Sequence, residues 1–307
     1  MNTYVPNYYK RFKCIADKCT HSCCIGWEID IDPETLGYYN SLEGEISSLL
    51  NKNISYGEDA HFILKEGDRC PFLWDNGLCH LICELGEDSL CDICKDHPRF
   101  RNFYSGGVEM GLGLCCEAAA EIILNSTEDF SLEGEGDIYD SKEKYFVNVR
   151  NNLISIMQNK EKNIKERFDK MLNSIDASLP HGDLNKWVDF FLSLERLDEN
   201  WTYALMRLKD SGVKNLIIPQ CASLPLENLG VYFLYRHTPS SLWDDNLSSK
   251  VMFSILATSF IHTLAKTFEN EFESYTKALC EYARMFSSEI EYSDENLSLI
   301  FDELLMW

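Results

Sequence analysis

Positive charge is scarce in this chain: 28 Lys and Arg stand against 50 Asp and Glu, a formal net charge of −22. Nucleic-acid binding draws its affinity from Lys and Arg that displace counterions, so a phosphate-backbone partner is not expected. The deficit is spread along the chain, with 10 basic against 20 acidic residues up to residue 125 and 18 against 30 beyond it. A solvated acidic surface accounts for this, and so does steering of a cationic substrate. Long apolar runs are also missing. The nearest to one, residues 251–261, is interrupted by Ser and Thr and falls short of the ~18 apolar residues of a spanning helix, so no membrane span is expected. No basic stretch followed by an apolar run stands at the N-terminus, which gives a cytoplasmic expectation. Gly and Pro are few, at 16 and 8, while 45% of residues are hydrophobic, so the chain is expected to fold around a core rather than stay disordered.

Cysteine is abundant instead. Eleven of thirteen lie between Cys14 and Cys116. In a reducing compartment such density points to a metal or iron–sulfur centre more than to disulfides. The first cluster reads Cys14-x4-Cys19-x3-Cys23-Cys24, and thiolates two to four residues apart converge on one point within a single loop turn. A second group holds Cys70, Cys79, Cys83, Cys91 and Cys94, and Cys115-Cys116 close the set. Four thiolates complete either a tetrahedral zinc site or a [4Fe-4S] cluster, so the inventory exceeds one site and connectivity stays open. Four histidines, His21, His61, His80 and His97, also lie nearby. Cys221 and Cys280 stand alone on apolar stretches and read as small buried hydrophobes.

The expected fold is mainly α: a cysteine-rich half over residues 1–125 with short helices and minor β, an acidic linker or loop at 126–143, and an all-helical half at 144–307. Alternation over residues 27–32 predicts a brief strand, with 61–64 a weaker second. Apolar spacing predicts helices over 147–175, 184–197, 201–209, 226–236, 247–268 and 272–287. A final short helix follows the capping residue Ser293.

Taken together, the residues resemble the flagellin lysine-N-methylase family. The resemblance rests on Tyr9-x2-Phe12-x-Cys14, the first cysteine cluster running into Gly26-Trp27, and Cys70-Pro71-Phe72-Leu73. It continues through Asn76-Gly77-Leu78-Cys79, Leu85-Gly86-Glu87, Cys94 before His97-Pro98-Arg99, and Cys115-Cys116-Glu117-Ala118-Ala119. Later segments are Leu194-Glu195, Trp201, Asn228-Leu229, the run from Tyr232 to His237, and Glu289-Ile290-Glu291-Tyr292-Ser293 with Asn296. It implies S-adenosylmethionine as donor, a lysine of flagellin or another lysine-bearing protein as acceptor, and a [4Fe-4S] cluster held by part of the cysteine set, with zinc the alternative metal. The shared ligand candidates are Cys14, Cys19, Cys23, Cys24, Cys70, Cys79, Cys94 and Cys115. Cys83 and Cys91 stand outside that set, and Cys116 takes the place of a proline.

Methyl transfer sets its own demands. The lysine must arrive as a neutral amine, and a base must take its proton. Tyr235, His237 and Glu291 are the candidate proton acceptors, while Arg236, Arg99 and Asn296 are the candidate donor-binding residues. A structural role competes, because Arg236 and His237 fall at a predicted helix C-terminus where cations satisfy the last carbonyls. The Gly-rich signature of ordinary nucleotide-binding folds is missing, residues 108–114 being a poor likeness, and so is a contiguous Cys-x3-Cys-x2-Cys triplet. Two other readings are compatible with the cysteines: a non-enzymatic zinc- or iron-chelating protein, and a redox or electron-transfer iron–sulfur protein.

Overall fold

The computed structural model describes residues 2–57, 59–179, 182–221 and 223–306. The chain opens with strand β1 (Asn2–Pro6) and divides into two compact units, Lys13–Arg99 and Met1–Phe12 with Phe100–Trp307.

In the smaller unit, helix α1 (Pro33–Ser41) starts where Asp32 accepts a hydrogen bond from Thr35 N and proline fills the first helical position. Helix α2 (Glu45–Asn53) leads into strand β2 (Ile54–Ser55), which pairs antiparallel with β3 (His61–Phe62). Two short helices, α3 (His80–Leu85) and α4 (Asp92–Asp96), complete the unit. Its core joins Ile29, Ile31, Tyr39, Leu50, Phe62, Phe72 and Leu81 with the thiols of Cys70 and Cys91. The alternation at residues 27–32 is expressed as burial, with Ile29 and Ile31 inside. It makes only one isolated bridge, Asp30 to His61, in place of the expected strand, because Pro33 begins a helix immediately afterwards.

From Phe100 onward, the larger unit adds β4 (Arg99–Tyr104), whose first residue closes the smaller unit, β5 (Gly107–Leu112) and β6 (Leu132–Glu133) to β1 in a sheet of order β4-β5-β1-β6. Strand β1 runs parallel to β5, with Asn2 opposite Gly107, and antiparallel to β6. A side chain at Gly107 would collide with the Asn2 carbonyl, so the close approach of these strands requires glycine. Residues 100–125 therefore pack with the helices, and the segment 126–143, read as a linker or loop, supplies β6.

Helices then dominate, as expected: α5 (Glu117–Leu124), α6 (Ser141–Met157), α7 (Ile164–Ser174), α8 (Leu184–Ser193), α9 (Glu199–Asp210), α10 (Leu224–His237), α11 (Ser241–Asp244), α12 (Leu247–Phe268), α13 (Tyr275–Phe286) and α14 (Asp294–Leu305). The single helix expected over 147–175 is two, because Asn163 and Glu166 form a capping box that restarts the helix as α7. Helix α12 is buried from Ser249 to Ala265 and packs against α10, α13 and α14. With its continuation to Glu271 it is long and apolar enough to cross a membrane by length and composition, yet 89% of its apolar window is buried inside the protein. That stretch is longer than the run at 251–261 picked out from the sequence. Beneath the sheet, Arg150 of α6 forks onto Glu109 of β5 at 2.5 and 2.9 Å, with both side chains fully enclosed. This pair fixes α6 to the strand.

Candidate active site

The C-terminal turn of α10 carries the residues on which the chemistry converges. Tyr232 and Arg236 are four apart and so share a helix face, and the guanidinium Nη1 donates to the Tyr232 hydroxyl at 2.8 Å. Both groups meet Glu291. Tyr232 donates to its carboxylate at 2.9 and 3.1 Å, and Arg236 Nε lies 3.2 Å from Oε1. His237 completes the cluster, with Nε2 at 2.5 Å from Glu291 Oε1. The rings of Phe100 and Tyr292 sandwich the guanidinium at 4.9 and 5.0 Å.

A π-helical turn, Ser287–Glu291, delivers the carboxylate. Such turns recur at functional sites because they rotate side chains out of the α-helical register. Glu289 and Glu291 accordingly part company. Glu289 accepts from the backbone N–H groups of Leu197 and Asp198 at 2.9 and 2.8 Å and so holds the entry to α9. Glu291 points to α10.

Burial pushes the Glu291 carboxyl up, but Arg236 and the hydrogen bond from His237 outweigh it, and the group is held below the usual carboxylate range. A carboxylate only accepts hydrogen bonds, so Nε2 of His237 carries the proton and Nδ1 is left with its lone pair. Burial holds the His237 pKa below its ordinary value despite Glu291, so the ring is neutral near pH 7. Among the described residues no partner takes Nδ1.

His237 is only 6% exposed, and it lines a cavity of about 700 Å³ together with Arg236. Ligand pockets typically span about 300–1,000 Å³. Its lining includes Arg236 and Lys250, whose buried Nζ pairs with Asp244 at 2.9 Å and sits over the Phe301 ring. A face of α14 also lines it, where Asp294, Leu297, Ser298, Phe301 and Asp302 recur at helical spacing. Charged groups of both signs and aromatic rings thus line one cavity.

Other residues singled out in the sequence lie elsewhere. Tyr235, three residues after Tyr232, faces the sheet, where its hydroxyl donates to Met110 O at 3.1 Å. Asn296 is 1% exposed and its amide ties Glu195 to Glu289, a structural clasp. Arg99 belongs to the smaller unit and donates to Lys95 O at 2.9 Å. Tyr232 and Lys250 were not singled out for this chemistry. The spacing of Tyr232 and Arg236, and a lysine in the first turn of the long apolar helix α12, are the signals that point to them.

The thiols divide between the units. Cys24, Cys70, Cys79, Cys91 and Cys94 gather in or against the core of the smaller unit, drawn in part by Cys70 N donating to Cys24 O at 2.8 Å. Cys14 and Cys23 are exposed, Cys19 is half-buried, and every cysteine is a free thiol. A hydrogen bond from Cys23 draws Cys24 down to about 7, whereas burial pushes Cys70 up to about 12. Cys115 lies in the larger unit, where burial pushes its thiol up to about 12 although Tyr292 hydrogen-bonds it. As a donor set the five gathered thiols match what zinc or an iron–sulfur cluster requires. Their spacing does not close on one ion: among the described residues no three His, Cys, Asp or Glu stand close enough together to hold a metal.

Over 135 residues the chain is 29% identical to the lysine-N-methylase of Salmonella typhimurium and 28% identical to that of Salmonella choleraesuis, in each case across 41% of this chain and 33% of the relative. The match thus spans about a third of the length of these two enzymes. It is 30% identical to the flagellar biosynthetic protein FliU of Salmonella muenchen, across 79% of that protein. No protein-family profile matches the chain. No solved structure matches it either. By its identity to FliU over most of that protein's length, the chain belongs to the family of FliU and the Salmonella lysine-N-methylases.

Proposed function

We propose that the protein transfers a methyl group from S-adenosylmethionine to the ε-amine of a protein lysine, with flagellin the leading acceptor. The observation that carries this reading is the buried Glu291–His237 pair, whose imidazole lines a cavity of ligand size. A lysine ammonium has no lone pair. His237 Nδ1 takes its proton, and Glu291 stabilises the imidazolium that results. The freed amine nitrogen then bonds to the methyl carbon as the carbon–sulfur bond breaks, with the bonding pair leaving on sulfur. Arg236 and Lys250 supply positive charge for the donor's carboxylate, and Tyr232 holds Glu291 in place.

The gathered thiols of the smaller unit are the proposed seat of a metal or [4Fe-4S] centre, and no step of the transfer is routed through it. Incubating the protein with S-adenosylmethionine and flagellin, then mapping methylated lysines by mass spectrometry, tests the activity. Methylation by the parent and its loss in His237→Gln are expected. Equal methylation by both proteins would sink the assignment of His237, and none by either would sink the activity.

A further inference from the structure

The mouth of the cavity differs in chemistry from its floor. Trp243 is 80% exposed and Phe103 60% exposed, an unusual display for two large rings, and both line the opening. Beside them stand Asp294 and Asp302 of α14, one helical face apart by two turns. Among the described residues neither carboxylate has a cationic partner, whereas Asp244 is already matched by Lys250. Deeper in, the lining is the buried His237, with Nδ1 unpartnered.

A lysine side chain has the complementary order of parts: a four-carbon apolar stem ending in an ammonium. We propose that Trp243, Phe103, Asp294 and Asp302 form the docking site of the acceptor lysine, the rings covering its stem and the two carboxylates drawing in its ammonium. This inference rests on the methyl-transfer reading and deepens it. The ammonium is held at the mouth, its proton passes to His237 Nδ1, and the neutral amine nitrogen forms the new bond to carbon while the donor's sulfur keeps the electron pair. An acidic protein surface adds long-range attraction for a cationic acceptor.

The test uses the full chain without donor. A capped pentapeptide whose central lysine is its one charged residue, and its norleucine counterpart, are titrated while tryptophan fluorescence and heat are followed. Saturable binding of the lysine peptide, at least about tenfold weaker binding of the norleucine peptide, and loss of the fluorescence change in Trp243→Phe are expected. Asp294→Asn and Asp302→Asn should each weaken peptide binding about two- to fivefold at low salt, the range of partly exposed ion pairs, and leave the folding transition in place. Equal binding of the two peptides, or an unchanged affinity in the doubly substituted protein, overturns the docking site. Titration with S-adenosylmethionine separates the two ideas. Donor binding without lysine discrimination defeats this inference alone, whereas lysine discrimination without donor binding upholds the mouth and defeats the methyl-transfer reading.

Discussion

Replacing Glu291 by glutamine keeps the shape of the side chain and removes the charge on which three partners depend. The carboxylate is fully enclosed and meets Tyr232, Arg236 and His237. Without it Arg236 becomes a largely buried cation lacking its counter-charge, and removing one member of a buried pair costs about 3–5 kcal/mol. In a unit of this size each kcal/mol moves the melting temperature by about 2–4 °C, so Glu291→Gln should melt roughly 6–20 °C below the parent. Catalysis should fall separately. A neutral amide no longer stabilises the imidazolium or fixes Nε2 as the protonated nitrogen, and loss of a positioned general base costs about 10²- to 10⁴-fold in rate. His237→Gln separates the effects, because Glu291, Arg236 and Tyr232 retain one another: the rate should fall as far while the melting temperature falls by less. Calorimetric melting and single-turnover transfer to a lysine peptide measure the two quantities. Melting of Glu291→Gln within about 2 °C of the parent would refute the buried-charge argument. Near-parental turnover by His237→Gln would refute the base.

The other predictions reach beyond this cluster. Glu109→Gln strips the counter-charge from the enclosed Arg150 and should cost about 3–5 kcal/mol in urea unfolding; an unchanged midpoint would show that the fork onto β5 contributes little. Burial holds His262 down to about 4, so its neutral form belongs to the folded state and the unfolded chain binds the extra proton. Stability from this residue is therefore intact above about pH 6.5 and lost as pH falls towards 4, by about 3 kcal/mol at most, and His262→Asn should flatten that slope in denaturant titrations. Anaerobic purification should yield protein retaining iron and sulfide, about four of each for a [4Fe-4S] cluster, with release on Cys70→Ser. Stoichiometric zinc would assign the thiols to a structural metal instead, and neither metal would leave them as packing residues.

Local physics made much of the helical architecture legible in the sequence. Helix α12 is expected over residues 247–268 and occupies those residues, because apolar side chains recur there on every face, with Asn246 capping its start. Ser293 caps α14, as expected of a serine preceding Asp294 and Glu295. Non-local pairing was not legible. Nothing in Asn2-Thr3-Tyr4 announces a parallel partner at residues 107–109, and that pairing is what places the first dozen residues with the helices. The site shows the same division. Arg236, His237 and Glu291 do lie together, and the spacing of the first two placed them on one helix end. The choice between Tyr232 and Tyr235 depended on which face of α10 meets the sheet, which tertiary packing alone decides.

The turn before α14 shows why a cluster of this kind resists reading from sequence. In a regular α-helix residues two apart project about 200° from each other, so a pair such as Glu289 and Glu291 reads as one buried and one solvated carboxylate. Here both are buried, 2% and 5% exposed, because the π-helical turn gives each a separate interior. The first interior is structural: Glu289 accepts from two backbone N–H groups at the entry to α9. Burial leaves that carboxyl raised above the usual range despite its two backbone N–H donors, whereas the carboxyl facing Arg236 is lowered. The two glutamates are thus driven apart in acidity by their surroundings, Glu289 raised and Glu291 lowered. The Glu291 charge holds the proton on Nε2 and leaves the lone pair on Nδ1 of a ring that lines the cavity, so the backbone irregularity and the proposed base are parts of one arrangement.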